Sequence, residues 1–163
     1  MKRSAADSSL PSTTAKTIAG IRIATSVFFL LFGEYKVIDS HFASTGFAQY
    51  IQGFVDNGAV SFYKPLLIHV ALVHPFFWGY AIGVIELLIG ISLLLGICVR
   101  LASVAGILLM VNLTLATWWE PGHGVAVWRY FGAELDHLPL LMLLVIFFAA
   151  DAGKVWGLDR RRA

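Results

Sequence analysis

The feature that most constrains this fold is an apolar run from Phe76 to Val99 in which Glu86 is the only charged residue. A helix of about 20 apolar residues crosses the hydrocarbon core of a bilayer, so this run is long enough to span it. Across the 163 residues, 58% are hydrophobic and 13% are charged, whereas soluble domains are about half hydrophobic and about a quarter charged. The composition therefore predicts an integral membrane protein in contact with the lipid bilayer.

Three further apolar segments bring the number of predicted transmembrane helices to four. They are Ile18 to Val37, Leu101 to Trp119, and His137 to Trp156, the last of which is interrupted by Asp151. The sequence thus predicts an all-α, four-transmembrane-helix bundle formed by residues 18–158. Residues 1–17 are polar and lack the cleavage pattern of a secretory signal, so we expect a disordered cytoplasmic tail there. Residues 159–163 are expected to form a basic cytoplasmic tail.

A long segment between the first two spans is neither polar enough for a linker nor apolar enough for a span. Hydrophobic residues recur in it at helical spacing beside polar ones, namely Phe47, Tyr50, Ile51 and Phe54. This pattern predicts an interfacial amphipathic helix that lies on the membrane surface. Residues 66–73 are predicted to form a second interfacial piece.

The distribution of basic residues predicts the orientation in the membrane. Four spans put both termini on one side, which would then carry eight basic residues against three on the other. The eight are Lys2, Arg3, Lys16, Arg100, Lys154, Arg160, Arg161 and Arg162, and the three are Lys36, Lys64 and Arg129. The positive-inside rule places both termini in the cytoplasm, so all five histidines would lie on the outer side or at its edge.

Glu86 is the first candidate functional residue, because a charged group in the middle of a span is costly to keep there. It shares a helical face with Gly79, Gly83 and Gly90, so we expect it to point into the bundle. Two interpretations stay open from the residues alone. The carboxyl group either fixes the register of the bundle through a hydrogen bond, or it accepts protons or binds a ligand in an internal pocket.

Asn112 and Arg22 are the other candidates inside the spans. A rise of about 1.5 Å per residue puts Asn112 at the depth of Glu86, and Asp151 at the depth of Arg22. We therefore expect Asn112 to bond Glu86 and Arg22 to pair with Asp151. Arg22 is also long enough to reach towards Glu86, and a simple anchoring role near the surface remains an alternative for Arg22 and Asp151.

The stretch between the third and fourth spans combines acidic, histidine and aromatic side chains. A quinone site at a membrane edge needs a hydrogen-bond donor beside an aromatic wall. The residues that would supply them are Trp119, His123, Trp128 and His137. A metal site built from the histidines lacks the usual ligand spacing, so none is predicted. The simpler interpretation is an aromatic belt at the membrane interface.

Cysteine usage limits the redox chemistry that the chain could carry. Cys98 is the single cysteine, which excludes an internal disulfide, a CxxC pair, a CxxCH haem attachment and a cysteine-ligated iron–sulfur cluster. No histidine lies in the middle of a span, which argues against an intramembrane bis-histidine haem, and no flavin motif is present. The sequence also predicts no binding of nucleic acid. An electron-transfer role would therefore need a partner subunit or a quinone.

Three stretches resemble the DoxX/DoxD family of small membrane proteins. "RIATSVFFLLFGEYK" matches its first helix at Arg22, Phe29, Gly33 and Lys36, with Ser26 in place of the usual glycine. "GVIELLIGISLLLGICVRLAS" is similar to its second helix at Glu86, Leu87, Gly90, Leu93, Gly96 and Arg100. "DAGKVWGLDR" resembles its C-terminal motif at Gly153, Lys154, Leu158 and Asp159, with Asp151 and Gly157 as departures. The asparagine-bearing "LLMVNLTLAT" is similar to the third helix of the DoxD branch.

This resemblance implies a multi-pass bundle in the cytoplasmic (inner) membrane of a prokaryote. DoxD is the small subunit of a thiosulfate:quinone oxidoreductase, and DoxX members are associated with redox complexes. The first functional hypothesis is thus a membrane subunit of a quinone-linked oxidoreductase that acts with a membrane or outer-side partner. The alternative is a non-enzymatic anchor or assembly subunit of a larger complex, so the sequence leaves open whether the chain is an enzyme.

Overall fold

The computed structural model describes residues 12–118 and 137–162, and within them the predicted all-α class is confirmed. The α-helices are α1 (Ser12–Ile38), α2 (Phe47–Asn57), α3 (Lys64–Leu66), α4 (Pro75–Leu95), α5 (Val99–Ala116) and α6 (His137–Ala149). Helices α1, α4 and α5 are long and apolar enough to cross a membrane, and α6 is a shorter apolar helix. The order of the apolar helices along the chain agrees with the order expected from the sequence.

The predicted fourth span is too long at its C-terminal end. Helix α6 ends at Ala149 and does not reach Trp156. Asp151 has a φ of 47°, in the left-handed region, and a 3-10 helix at Ala152–Lys154 follows it. A left-handed residue cannot continue a right-handed helix, so the chain turns there. A second 3-10 helix, Leu158–Arg162, closes the described chain and overlaps residues 159–163, which were predicted to form the C-terminal tail.

The turn between α4 and α5 also comes earlier than the run of apolar residues predicts. Helix α4 ends at Leu95, and Gly96 caps it in the left-handed conformation with a φ of 64°. Glycine adopts this conformation without a steric penalty, which is why helices commonly end on one. Cys98 is also left-handed, with a φ of 52°, and α5 begins directly after it. The second predicted span therefore stops short of Val99.

Helices α1 and α4 approach closely through glycines. A Cβ atom on Gly33 of α1 would lie 2.7 Å from the backbone nitrogen of Leu87 and 2.8 Å from the backbone oxygen of Gly83. A Cβ atom on Gly90 of α4 would lie 2.8 Å from the Leu30 side chain. Small residues at these positions let the two backbones pack against each other, as in membrane helix pairs. The predicted inward face of Gly79, Gly83, Glu86 and Gly90 is confirmed, because all four are buried.

Two apolar clusters fill the interior. The first joins the four apolar helices through Phe29, Ile89, Leu93, Val99, Met110, Leu144, Phe147 and Ala152. The second lies under the segment between α1 and α4 and is built from Phe42, Phe47, Ile51, Ala59, Tyr63, Leu67 and Ala116. Its members come from both the connecting segment and the end of α5. The connecting segment is thus packed onto the bundle.

Helix α2 is amphipathic, and it follows a π-helical turn at Phe42–Gly46. Phe47 and Ile51 are buried, whereas Tyr50 and the polar Gln52 are exposed. After α2 the chain reaches α5, where the backbone N–H of Val60 donates to the carbonyl of Leu115 at 3.0 Å. A second π-helical turn at Leu67–Ala71 then leads towards α4.

The close approach of α1 and α4 gives a first prediction. Gly33→Ala places a methyl group against the backbone of α4, so we expect the free energy of unfolding to fall by about 1–3 kcal/mol. The matched control is Gly20→Ala in the same helix, because nothing lies within 4 Å of a Cβ atom there. That change should be neutral or stabilising by up to about 1 kcal/mol. Thermal unfolding in detergent measures both, and equal effects would contradict the packing described.

Candidate functional site

An ion pair inside the bundle joins α1 to α4. The ammonium group of Lys36 donates to both carboxylate oxygens of Glu86, with nitrogen–oxygen distances of 2.5 and 2.6 Å. Glu86 is buried, with 2% of its surface exposed, and the Lys36 side chain is 20% exposed. Burial of an unpaired carboxylate would be expensive, and a partner with two hydrogen bonds offsets much of that cost.

The lysine side chain runs towards the middle of the bundle. Its Cβ atom lies beside Gly83, 2.8 Å from where a Cβ atom on that glycine would be, and Glu86 is about one helical turn further along α4. A lysine near the end of an apolar helix ordinarily extends outwards to water. Here the carboxylate draws it inwards, and the rings of Phe32 and Phe42 lie 6.0 and 5.9 Å from the ammonium group.

Phe42 belongs to a group of aromatic rings next to the ion pair. Its ring centroid is 5.6 Å from that of Tyr35, 6.2 Å from that of Phe47 and 6.0 Å from that of Tyr50. Tyr35 and Tyr50 are more than half exposed, so the group continues from the interior to the surface. The site therefore combines a hydrogen-bond donor, a carboxylate and flat apolar surfaces. A buried carboxylate paired with an ammonium group can hold and transfer a proton.

The expected bond between Glu86 and Asn112 is wrong. The side-chain oxygen of Asn112 accepts a hydrogen bond from the hydroxyl group of Tyr63, and its nitrogen donates to the carbonyl of Leu108 at 2.7 Å. Asn112 was expected at the same depth in the membrane as Glu86, but it does not bond Glu86. Both oxygens of that carboxylate accept hydrogen bonds from Lys36 instead. Asn112 instead fastens the segment between α2 and α3 to helix α5. Burial raises the pKa of the Tyr63 hydroxyl above its usual value.

The expected pairing of Arg22 with Asp151 is wrong as well. Arg22 is fully buried and donates from Nη2 to the carbonyl of Trp156 at 3.0 Å. Asp151 instead pairs with Lys154 at 3.1 Å and lies 3.6 Å from Arg100. The expectation assumed that the last helix continues through Asp151. Since α6 ends before it, the carboxylate turns away from α1 and the following backbone reaches Arg22 in its place.

Asp159 holds the C-terminal segment against the turn between α4 and α5. Its carboxylate accepts from the backbone N–H of Cys98 at 2.8 Å and of Val99 at 3.0 Å. Its own N–H donates to the carbonyl of Gly96 at 2.9 Å. A carboxylate at the start of α5 satisfies N–H groups that have no partner within the helix and complements the helix dipole. Asp159 also attracts the guanidinium group of Arg22 electrostatically.

One of the four predicted quinone-edge residues lies in the part of the chain that the structure describes. His137 is the first residue of α6 and is buried. Trp119, His123 and Trp128 lie outside the described residues. Within residues 12–118 and 137–162, no three histidine, cysteine or acidic side chains come close enough to hold a metal ion.

Three polar residues with important contacts were not among the predicted site residues. Lys36 shares the inward face of Gly33, which is the signal that could have identified it as the partner of Glu86, but the sequence analysis considered only Asn112 and Arg22 for that role. Asp159 was placed in a tail, although the acidic side chain stands out in a basic stretch. Tyr63 gave no signal, because its partner Asn112 is far away in the sequence.

Comparison with known proteins places the chain in a family. The DoxX family model matches residues 17–119, which is more than half of the 163-residue chain. The matched range includes both members of the ion pair. No curated protein and no solved structure matches the sequence.

The cap on α5 gives a second prediction. Asp159→Ala removes both acceptors from the start of α5 and the charge facing Arg22, so we expect the free energy of unfolding to fall by about 1–2 kcal/mol. The matched control is Asp56→Ala, which removes an exposed carboxylate that accepts a hydrogen bond from the Gln52 side chain at 2.9 Å. That loss should cost less than about 0.5 kcal/mol. Chemical unfolding measures both, and a control as damaging as Asp159→Ala would refute the capping role.

The Tyr63 hydroxyl gives a third prediction, on pH. In the unfolded chain the phenol loses its proton near a pKa of about 10, whereas burial raises the pKa of Tyr63 in the folded protein. The folded state thus keeps a proton that the unfolded state has lost, so the free energy of unfolding falls as the pH rises above about 10. Tyr63→Phe lacks this dependence. Unfolding curves between about pH 8 and 11 should show the two proteins converging, and parallel curves would show that Tyr63 does not contribute.

Proposed function

The chain belongs to the DoxX family, and we propose that it is a membrane subunit of a quinone-linked oxidoreductase complex, of the thiosulfate:quinone type or a related redox system. The observation that carries the proposal is the buried ion pair of Lys36 and Glu86 beside the aromatic group of Phe42. A structural hydrogen bond alone would not require two charged partners, since neutral side chains fix helix register at lower cost.

We place the subunit in the cytoplasmic membrane with both termini in the cytoplasm. Helices α1, α4 and α5 are three of the spans. Helix α6 is the fourth, and its length of about 20 Å covers about two thirds of a hydrocarbon core. The excess of basic residues at the end that holds the termini supports this orientation. The amphipathic α2 then lies at the outer surface, with exposed Tyr50 and Gln52 at the boundary.

The residues next to the ion pair fit a quinone ring. Lys36 would donate to a carbonyl oxygen, and the exposed rings of Tyr35 and Tyr50 would supply flat surfaces for stacking. When bound, a quinone takes up two electrons and two protons to become a quinol. Lys36 and Glu86 would hold and deliver one of these protons at that oxygen, while the apolar surroundings exclude water, and the other proton goes to the second oxygen of the ring. His137, the first residue of α6, would lie at the mouth of the site on the outer side, and the other predicted quinone-edge residues, Trp119, His123 and Trp128, lie outside the described residues.

The electrons would come from an outer-side reductant through a partner subunit. With thiosulfate, two ions join through a new S–S bond and release the two electrons that the quinone accepts. Because the sequence contains no haem, flavin or iron–sulfur motif, the chain needs that partner for electron delivery. Arg22 and Asn112 would act at a distance from the reaction, by holding the C-terminal segment and the outer segment in place.

A second candidate function is a non-enzymatic anchor or assembly subunit. Large aromatic side chains support it, because Phe62, Phe76 and Phe77 on the outer segment and the start of α4 are 75%, 62% and 61% exposed. Exposed aromatic residues of this kind serve partner binding as well as membrane anchoring. In this alternative the ion pair only joins α1 to α4.

The fourth prediction tests the ion pair. Lys36→Met leaves Glu86 buried without its cation, and we expect a loss of roughly 3–5 kcal/mol in the free energy of unfolding. Lys36→Met combined with Glu86→Leu should recover most of this loss, because neither charge then remains in the apolar interior. The double variant is therefore a folded protein without the polar site. A double variant no more stable than the single one would contradict the buried pairing.

The double variant distinguishes the quinone-linked function from the anchor function, because it folds but lacks the ion pair. Purified wild-type protein should bind a short-tailed benzoquinone, detected by quenching of tryptophan fluorescence, and the folded double variant should bind it at least about 10-fold more weakly. Equal binding would remove the quinone proposal. Affinity purification from native membranes completes the test, because a partner protein that is retained equally by both proteins, without quinone binding, would favour the anchor function.

A further inference from the structure

A cavity of about 360 Å³ opens at the end of the bundle opposite to the ion pair, where α4 stops. It is lined by Leu95, Trp156, Gly157, Leu158 and Arg160. The lining has an apolar part made of two leucines and a tryptophan, and a cationic part made of Arg160. This division matches a molecule with hydrocarbon chains at one end and a negative charge at the other.

Trp156 is held at the surface by its backbone. Its φ is 50°, in the left-handed region that bulky residues rarely adopt, and its carbonyl accepts the hydrogen bond from the buried Arg22 at 3.0 Å. The side chain is 60% exposed although the interior of the bundle is close by. Strained backbone that the surrounding structure maintains is typical of binding sites. The left-handed backbone at Trp156 keeps its indole ring on the surface, where a molecule outside the bundle can contact it.

The charges around the cavity favour an anion. The two carboxylates nearest in sequence are engaged elsewhere, since Asp159 accepts from the backbone of α5 and Asp151 pairs with Lys154. Arg160 lines the cavity and is exposed. The sequence adds two further arginines directly after it. Leu95 is the last residue of α4, so the cavity lies at the boundary between the apolar helices and water.

We propose that this cavity binds an anionic phospholipid. The phosphate would bond Arg160, and an acyl chain would lie along Leu95, Trp156 and Leu158. Basic groups at the cytoplasmic surface attract anionic headgroups, and tryptophan is favoured where the headgroups meet the acyl chains. The site is separate from the ion pair of α1 and α4, so it stands whether or not the protein binds quinone.

Competition between lipids tests this site. The purified full-length protein in detergent is mixed with equal amounts of phosphatidylglycerol and phosphatidylcholine, and retained lipid is counted by native mass spectrometry. We expect phosphatidylglycerol to be retained at least about fivefold more, as one basic contact predicts. Arg160→Gln should remove this preference, and Trp156→Ala should reduce the retention of both lipids. Both side chains are exposed, so the variants should fold.

A matched control separates a defined site from general attraction to a basic surface. Lys16→Gln removes one exposed positive charge from the same predicted side of the membrane, and it should leave the preference intact. Equal loss in Lys16→Gln and Arg160→Gln would overturn the proposal, as would equal retention of the two lipids by the wild type. A third arm adds millimolar inorganic phosphate. Displacement of phosphatidylglycerol by phosphate would show a simple anion site and would also overturn it.

Discussion

The buried carboxylate of Glu86 is the constraint on which the rest of the bundle depends. An ionised group in apolar surroundings is stable only if a partner reaches it with good geometry. Lys36 can do so because glycines at positions 33 and 83 let α1 and α4 approach closely. The glycine face and the ion pair therefore depend on each other. Close packing of the two backbones brings the ammonium group of Lys36 within hydrogen-bond distance of the Glu86 carboxylate.

A second polar junction closes the other end of the same helix pair. Arg22 bonds the backbone at Trp156, and Asp159 caps α5 while facing Arg22. Three parts of the chain that are distant in sequence meet there, which fixes the turn between α4 and α5. Tyr63 and Asn112 give a third link, from the outer segment to α5. Residues that resemble the family motifs thus lie mainly at places where separate parts of the chain are joined.

The sequence predicted the apolar helices and the inward face of α4 well, because helical periodicity and the position of glycines depend on local sequence. The sequence did not predict correctly which polar side chains bond each other. Depth along a helix measures only one coordinate, so Asn112 and Asp151 were assigned to partners at the same height that they do not contact. The end of α6 depends on the left-handed backbone at Asp151, a conformation that is uncommon outside glycine, so the sequence showed an interruption there but not the turn. Partner choice required the lateral arrangement of the helices, which one sequence does not show.

Arg22 and Lys36, the two cations of α1 that point into the bundle, lie 14 residues apart, which is close to four full helical turns, so they leave the helix on the same side. Each is held by a different part of the chain, Arg22 by the backbone at Trp156 and Lys36 by Glu86 of α4. Sliding α1 by one residue, or rotating it by the accompanying 100°, would break both contacts at once. Helix α1 therefore cannot move like a piston against α4, and this helix pair serves as a fixed frame. Any large displacement within the described bundle has to come from the elements that pack around this pair.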